Sequence, residues 1–126
     1  MLLVKRLYSY HTYRGLDVEN MRRAAGCLEG EHDFRSFCQT GAQVESTVRT
    51  IFSAEVEEQG ADLVIRVCGS GFLYNMVRII AGTLLEVGMG KRTPESMEQV
   101  LAARERGAAG PTAPACGLTL MKYEFL

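Results

Sequence analysis

A long apolar stretch between Ser70 and Lys91, SGFLYNMVRIIAGTLLEVGMGK, predicts the central helix of the chain. At about 100° per residue, its apolar side chains cover most of the helix circumference, which is typical of a buried helix. Ser70 is placed to cap the first turn, and Gly88 is placed where a left-handed residue would end the helix. One narrow stripe interrupts the apolar surface, and it consists of Gly71, Asn75, Arg78, Gly82 and Glu86.

Arg78 is the only cation on this stripe. A guanidinium keeps its proton, and burying it without a partner costs several kcal/mol, so the stripe must meet a carboxylate, a phosphate or water. Glu86 lies two helical turns away and is too distant to be that partner. Gly82, one turn on, would let another backbone segment or a ligand approach closely. Two interpretations stay open: an arginine with a purely structural partner or a solvated tip, and an arginine held for function.

The remaining periodicity predicts two further helices. A 3.6-residue apolar period follows Asp17, a suitable N-cap, and predicts a helix over residues 18 to 29. Thr93 and Pro94 are typical of a helix start, and Gly107 marks the predicted end of that helix.

Alternation with a period of two predicts strands at residues 47 to 58, 62 to 68 and 118 to 125, the first two joined as a hairpin. The same alternation predicts that five side chains share one face of the first strand, namely Val48, Thr50, Phe52, Ala54 and Val56. Residues 1 to 15 have mixed periodicity, and we treat them as a loose lead-in. Residues 16 to 126 are then predicted to form one α+β domain, an antiparallel sheet with helices packed on one face.

Composition limits the possible functions of this domain. The chain has 126 residues, of which 47% are hydrophobic and 23% charged, and its net charge is −1, so any RNA contact needs a local basic face. Four widely spaced cysteines without a CxxC pair, and only two histidines, argue against zinc or haem attachment. The beginning of the chain lacks the features of a signal peptide, and polar residues interrupt the longest apolar helix. We expect a reducing, cytoplasmic location without a membrane partner.

Three features outside the stripe invite a functional interpretation. His32 and Asp33 are adjacent, but neighbouring positions on a turn point in different directions and no nucleophile matches them, so a structural role is favoured. Arg22 and Arg23 lie on the outer side of the predicted helix, where a solvated face is favoured over contact with an RNA backbone. The segment 108 to 117, rich in small residues and proline, predicts a constrained loop over which another chain segment or a base could lie.

Four sequence motifs carry information beyond periodicity. They are GEHDF at 30 to 34, VRTI at 48 to 51, GFLYNMVRIIAGTLLEVG at 71 to 88 and GPTAPACGLTL at 110 to 120. In this order they closely resemble the C-terminal half of the tRNA pseudouridine synthase A (TruA) family, over about residues 16 to 125. The resemblance implies a ferredoxin-like half of an enzyme that isomerises uridine in the anticodon stem and loop of tRNA, at tRNA positions 38 to 40, without cofactor or metal.

The resemblance also implies roles for single residues. Arg78 in MVRII matches the family arginine that pairs with the catalytic aspartate, and Leu118 in CGLTL matches the apolar residue that packs near the target base. Asn75, Arg49 and Gly117 are further candidates for contact with RNA.

The sequence departs from the family pattern at the nucleophile. The family's catalytic aspartate lies in an RTDAGVHA-like motif of the N-terminal half, and neither this motif nor the family's active-site tyrosine strand has a match here. Asp17, Asp33 and Asp62 stand in other contexts. We expect the chain alone to be inactive, as a fragment or a split or truncated gene product.

The expected partners are tRNA, an N-terminal half of the synthase if separately encoded, and a second copy in a homodimer, since family members dimerise and an uncovered cleft would expose apolar surface. The alternative is a non-catalytic RNA-binding or assembly module that retains the fold.

Overall fold

The structure, a computed structural model, describes residues 4–13, 15–41, 43–60 and 62–125. Its helices and strands follow in chain order as β1 Val4–Tyr13, α1 Val18–Gly26, β2 Gly30–Asp33, β3 Val48–Gln59, β4 Asp62–Gly69, α2 Met76–Gly88, α3 Ser96–Ala103 and β5 Leu118–Phe125. Short 3-10 turns occupy Arg35–Phe37, Arg106–Ala108 and Ala115–Gly117.

Five antiparallel strands form one sheet in the order β2-β3-β4-β1-β5. Buried side chains of all three helices join those of the inner sheet face in one hydrophobic core. The predicted α+β fold, an antiparallel sheet with helices on one face, is therefore confirmed. None of the helices in the described part of the chain combines the length and the apolar composition that a membrane crossing requires.

Strand β1 corrects the prediction of a loose lead-in. Residues 4–13 lie inside the sheet, between β4 and β5. Their mixed periodicity has a physical cause, because Ser9 on one face of the strand is as well buried as Tyr10 on the other. The register with β5 also shifts between Leu7 and Tyr8, and such an irregularity interrupts the alternation of a regular strand. Strand β2 was not predicted either, since four residues are too few to show a period.

Helix α1 begins as predicted. The Asp17 carboxylate accepts a hydrogen bond from the amide of Asn20 at 3.1 Å, which caps the first turn. The helix ends at Gly26, three residues before the predicted end at residue 29. Its buried side chains, Met21, Ala24 and Ala25, face β3 and α2.

Helix α2 begins five residues later than the Ser70 cap predicted. The first helical residue is Met76, and Asn75 before it is in the left-handed region with φ 61°. This conformation lies in a turn at residues 74–75, and residues 71–73 before it have no regular secondary structure.

The predicted glycine stops were also wrong. Gly88 is the last helical residue of α2, and Gly90, with φ 80°, takes the left-handed conformation instead. A Cβ on Gly88 would lie 2.6 Å from the sulfur of Met21, so this glycine serves the contact between α1 and α2. Helix α3 ends at Ala103, and the left-handed residue after it is Arg104 rather than Gly107.

The alternation along β3 breaks at Phe52. The register between β3 and β4 shifts between Ile51 and Ser53, which inserts an extra residue at this point. Ile51 and Ala54 face the core as a result, whereas Phe52 is 44% exposed. The prediction that Phe52 shares the face of Ala54 was therefore wrong.

Candidate functional site

The polar stripe of α2 packs against the loop that precedes β5. A Cβ on Gly82 would lie 1.7 Å from the carbonyl oxygen of Pro111, so only glycine permits this contact. The amide of Ala113 donates to the carbonyl of Arg78 at 3.0 Å. The close approach predicted at Gly82 and the constrained loop predicted at 108 to 117 are therefore two sides of one contact, which we call the α2–loop seam.

Polar groups inside the seam pair with one another. The buried hydroxyl of Thr83 accepts a hydrogen bond from the amide of Gly110 at 2.9 Å. The guanidinium of Arg92 contacts the carboxylate of Glu86 at 2.7 Å and donates to the carbonyl of Ala108 at 2.9 Å. Glu86, the acidic member of the stripe, therefore has its partner at the C-terminal end of α2.

Arg78, at the other end of the seam, has only neutral acceptors among the described residues. Its Nε donates to the carbonyl of Ala113 at 2.8 Å, and its Nη1 donates to Oδ1 of Asn75 at 3.2 Å. Among the described residues no carboxylate forms an ion pair with it. A guanidinium has five N–H donors, so this half-buried cation keeps donors and an uncompensated charge.

A pocket of about 240 Å³ opens beside Arg78. It brings together three of the residues singled out in the sequence, and its lining includes Tyr8, Phe72, Tyr74, Asn75, Arg78 and Leu118. The rings of Tyr8 and Phe72 meet edge to face with their centroids 5.2 Å apart. None of the described lining residues is acidic. An apolar wall with one cation suits a flat, partly polar ligand that is accompanied by a negative charge.

Tyr10 lies on β1, two residues after the pocket residue Tyr8. Its hydroxyl donates to the carbonyl of Pro114 at 2.9 Å and so ties β1 to the loop. Burial raises the pKa of Tyr10, Cys116 raises it further, and the guanidinium of Arg78 acts in the opposite direction. Sequence reasoning missed Tyr8 and Tyr10 because they lie in the supposed lead-in. Their spacing of two residues was the available signal.

Gly117 positions the start of β5. A Cβ at this residue would lie 2.7 Å from the carbonyl oxygen of His11 and 2.8 Å from the ring of Tyr10. The absence of a side chain thus allows β5 to approach β1, which brings Leu118 to the pocket wall.

Three other candidate arginines lie outside this pocket. The guanidinium of Arg49 donates to two backbone carbonyls near the start of β3, at 2.8 and 2.7 Å. Arg22 donates to the carbonyl of Val56 at 2.9 Å, and Arg23 forms an ion pair with Glu95. These contacts attach both side chains of α1 to neighbouring elements.

The three aspartates of the chain also lie elsewhere. Asp17 caps α1, and Asp33 accepts hydrogen bonds from the hydroxyl of Thr47 and the amide of Arg35. Asp62 is at the far end of β4, paired with Tyr13 in the sheet. The ring nitrogen of His32 lies 2.8 Å from the backbone carbonyl of Glu29. These contacts agree with the structural interpretation of the adjacent histidine and aspartate.

The fold and the four motifs agree with the comparison to known families. The sequence profile of the tRNA pseudouridine synthase family matches residues 24–125, and the chain belongs to this family. It is 55% identical over 114 residues to the tRNA pseudouridine synthase A of Halalkalibacterium halodurans, 52% over 121 residues to that of Bacillus subtilis, and 48% over 120 residues to that of Moorella thermoacetica.

The match covers most of this chain but less of its relatives. The three alignments span 90%, 96% and 95% of the chain, and 43%, 49% and 49% of the respective relatives. The chain therefore spans about half the length of the curated relatives it matches.

Proposed function

We propose that the chain is the C-terminal half of a tRNA pseudouridine synthase and that the Arg78 pocket receives a uridine extruded from the anticodon stem and loop. One observation carries this proposal: within the part of the chain that the structure describes, a half-buried guanidinium beside an apolar pocket meets only two neutral acceptors. Such a cation is stabilised when an opposite charge enters the pocket. A carboxylate of the N-terminal half is the group that the family's chemistry requires there.

In the proposed site Arg78 holds that carboxylate ionised, because an adjacent positive charge favours the charged form. Asn75 accepts from Arg78 and donates to Gln39, so it orients the guanidinium. Leu118 packs against the target base and excludes water. Gly117 and Arg49 are proposed as additional contacts to RNA.

The proposed reaction exchanges one bond of the base for another. The bond between N1 of uracil and C1′ of the ribose breaks, the base turns, and a bond forms between C5 and C1′. N1 gains a proton and C5 loses its hydrogen to water. The isomerisation has no net oxidation or reduction, and the carboxylate acts as the nucleophile, so we expect no cofactor.

The proposal includes inactivity of the chain by itself. Asp17, Asp33 and Asp62 are occupied by capping, loop and sheet contacts, and none of them lines the Arg78 pocket. Turnover therefore requires an N-terminal half, and the working assembly is proposed to be a cytoplasmic homodimer that binds tRNA.

Reconstitution tests the proposed function. The chain is mixed with a matching N-terminal half, and tritium release is counted from tRNA labelled at C5 of uridine. We expect turnover by the mixture, none by either half, and almost none with Arg78→Ala. Lys91→Gln, which removes an exposed charge beyond the far end of α2, should leave turnover unchanged.

Two outcomes would contradict the proposal in different ways. Turnover by the chain alone would overturn the assignment of the nucleophile to the other half. A folded complex of both halves without turnover would favour the alternative, a non-catalytic RNA-binding or assembly module.

A further inference from the structure

A second, larger pocket of about 540 Å³ lies between the loop after the 3-10 turn Arg35–Phe37 and the segment that follows α3. Its charged lining residues are Arg35, Arg104, Arg106 and Glu105, so positive charge predominates. The chain as a whole has a net charge of −1. This pocket is therefore a local basic site on a protein that has no overall basic character, and we call it the basic pocket.

Two of its arginines have unused hydrogen-bond donors. The side chain of Arg35 is exposed and, within the described part of the chain, makes no hydrogen bond or ion pair. Arg104 has one carboxylate near it, that of Asp33, and the separation of 3.9 Å exceeds hydrogen-bond distance. Both guanidiniums can therefore bind an anion without breaking an existing hydrogen bond.

The scaffold fixes the backbone next to Arg104 and the side chain of Arg106. Arg104 lies in the left-handed region with φ 51°, a conformation that is strained for a residue with a side chain. The next amide, that of Glu105, donates to the buried hydroxyl of Ser36 at 2.9 Å, which fixes the turn. Arg106 donates to the carbonyl of Gly110 at 2.7 Å and so links the basic pocket to the α2–loop seam.

A chain of hydrogen bonds connects the basic pocket to Arg78. Gln39 lines the basic pocket, and its backbone amide donates to the backbone carbonyl of Tyr74 at 3.3 Å. The side-chain oxygen of Gln39 accepts from Asn75, whose own oxygen accepts from Arg78. A polynucleotide with one base in the Arg78 pocket would reach the basic pocket across this short polar bridge.

The lining chemistry favours phosphate over base. No aromatic side chain is among the described lining residues, so the pocket offers no surface on which a base could stack. Guanidinium groups match the geometry of phosphate oxygens with paired N–H donors. Burial raises the pKa of the Cys38 thiol in the pocket wall, whereas Arg49 and Arg35 lower it, which agrees with a positive field there.

We propose that the basic pocket binds a backbone phosphodiester of the RNA strand next to the target uridine, through Arg35 and Arg104. This inference rests on the proposed function, because it takes RNA to be the ligand of the neighbouring Arg78 pocket. It assigns the pocket to strand positioning rather than to chemistry.

The test measures binding of this chain to a synthetic RNA hairpin at several salt concentrations. For the double variant Arg35→Gln, Arg104→Gln we expect about tenfold weaker binding at low salt. The slope of log affinity against log salt concentration should become less steep by roughly one, since the lost contact to one phosphate removes about one released counterion. Arg106 is left unchanged because it holds the loop.

The control variant is Lys91→Gln, which removes one exposed positive charge outside both pockets and should change neither affinity nor slope by a comparable amount. Circular dichroism and thermal unfolding verify that each variant is folded. In the reconstituted enzyme the double variant should raise KM and leave kcat nearly unchanged, whereas Arg78→Ala should lower kcat.

The outcomes separate this inference from the proposed function. If the parent chain binds the hairpin and the folded double variant keeps its affinity and salt slope, the basic pocket is not a phosphate site, while the proposed function stands. If the parent chain binds no RNA even at low salt, this inference is contradicted, while the proposed function is decided separately by turnover of the reconstituted enzyme.

Discussion

Arg92 and Arg78 contact opposite ends of the same loop, yet their electrostatic surroundings differ. Arg92 has a carboxylate partner at 2.7 Å, that of Glu86, and both side chains are less than a quarter exposed. Arg78 makes its hydrogen bonds to a backbone carbonyl and to an amide oxygen. One end of the α2–loop seam is thus neutralised within the chain, and the other end retains a positive charge.

This difference distinguishes an arginine that has a carboxylate partner within the fold from one that remains available to a ligand. A partly buried arginine with its own carboxylate stabilises the fold, and breaking such a pair leaves an unpaired charge. A partly buried arginine without one gains a partner only when something else binds. The comparison therefore predicts that the two ends of the seam respond differently to substitution.

The largest expected effect comes from disrupting the seam itself. Gly82→Ala forces a Cβ against the carbonyl of Pro111 and should lower the free energy of unfolding by about 3 kcal/mol, since the backbone must shift. Gly26→Ala in α1 is the matched control, because nothing lies within 4 Å of its Cβ position. It should be neutral or stabilise by up to about 1 kcal/mol. Urea unfolding of both variants checks this, and equal stabilities would contradict the account of the seam.

The comparison itself predicts a second, smaller effect. Glu86→Gln leaves the partly buried Arg92 without its carboxylate and should destabilise the fold by about 2 kcal/mol. Arg78→Gln removes only hydrogen bonds to neutral acceptors and should cost about 1 kcal/mol or less. Chemical denaturation of the two variants in parallel measures the difference. A greater loss of stability for Arg78→Gln would reverse our assignment of the two roles.

The smallest expected effect concerns Tyr10, the tyrosine that ties β1 to the loop before β5. The pKa of Tyr10 is raised in the folded state, chiefly by burial, so the unfolded chain releases this proton first as the pH rises. Its contribution to stability is therefore present below the ordinary tyrosine pKa and is lost as the pH rises through the folded-state value. As the pH rises from neutral to strongly alkaline, the free energy of unfolding should therefore fall less for the variant Tyr10→Phe than for the parent protein.

Unfolding at a series of pH values measures this contribution, and the difference between the two proteins isolates Tyr10 from other alkaline groups. Because Arg78 lowers the pKa of Tyr10, Arg78→Gln should raise it further. An identical alkaline loss of stability in the parent and in Tyr10→Phe would show that this phenol does not titrate differently in the folded state.

Much of the fold and part of the site could be predicted from the sequence. Periodicity identified the hairpin of β3 and β4, and the cap at Asp17 was correct. The stripe on the central helix identified Arg78 and the close approach at Gly82. These features depend on local spacing, which a sequence displays directly.

The features that sequence reasoning missed depend on tertiary contacts. Strand β1 has a buried serine, Ser9, and a register shift between Leu7 and Tyr8, so its alternation is limited to a few residues. The left-handed turn at Asn75 and the bulge at Phe52 move residues away from their expected positions by single backbone changes. The basic pocket joins Arg35 to Arg104, which lie far apart in the sequence, and no local pattern could link them.

The most direct test of the central claim is the pH dependence of kcat/KM in the reconstituted enzyme. If Arg78 holds a carboxylate of the other half ionised, removing its charge raises the pKa of that carboxylate by roughly 1 unit or more. With Arg78→Gln, the acid limb of the profile should therefore move to higher pH, in addition to a lower rate, whereas Lys91→Gln should leave it in place. A lower rate with an unmoved acid limb would contradict the claim that Arg78 is the charge partner of the catalytic carboxylate.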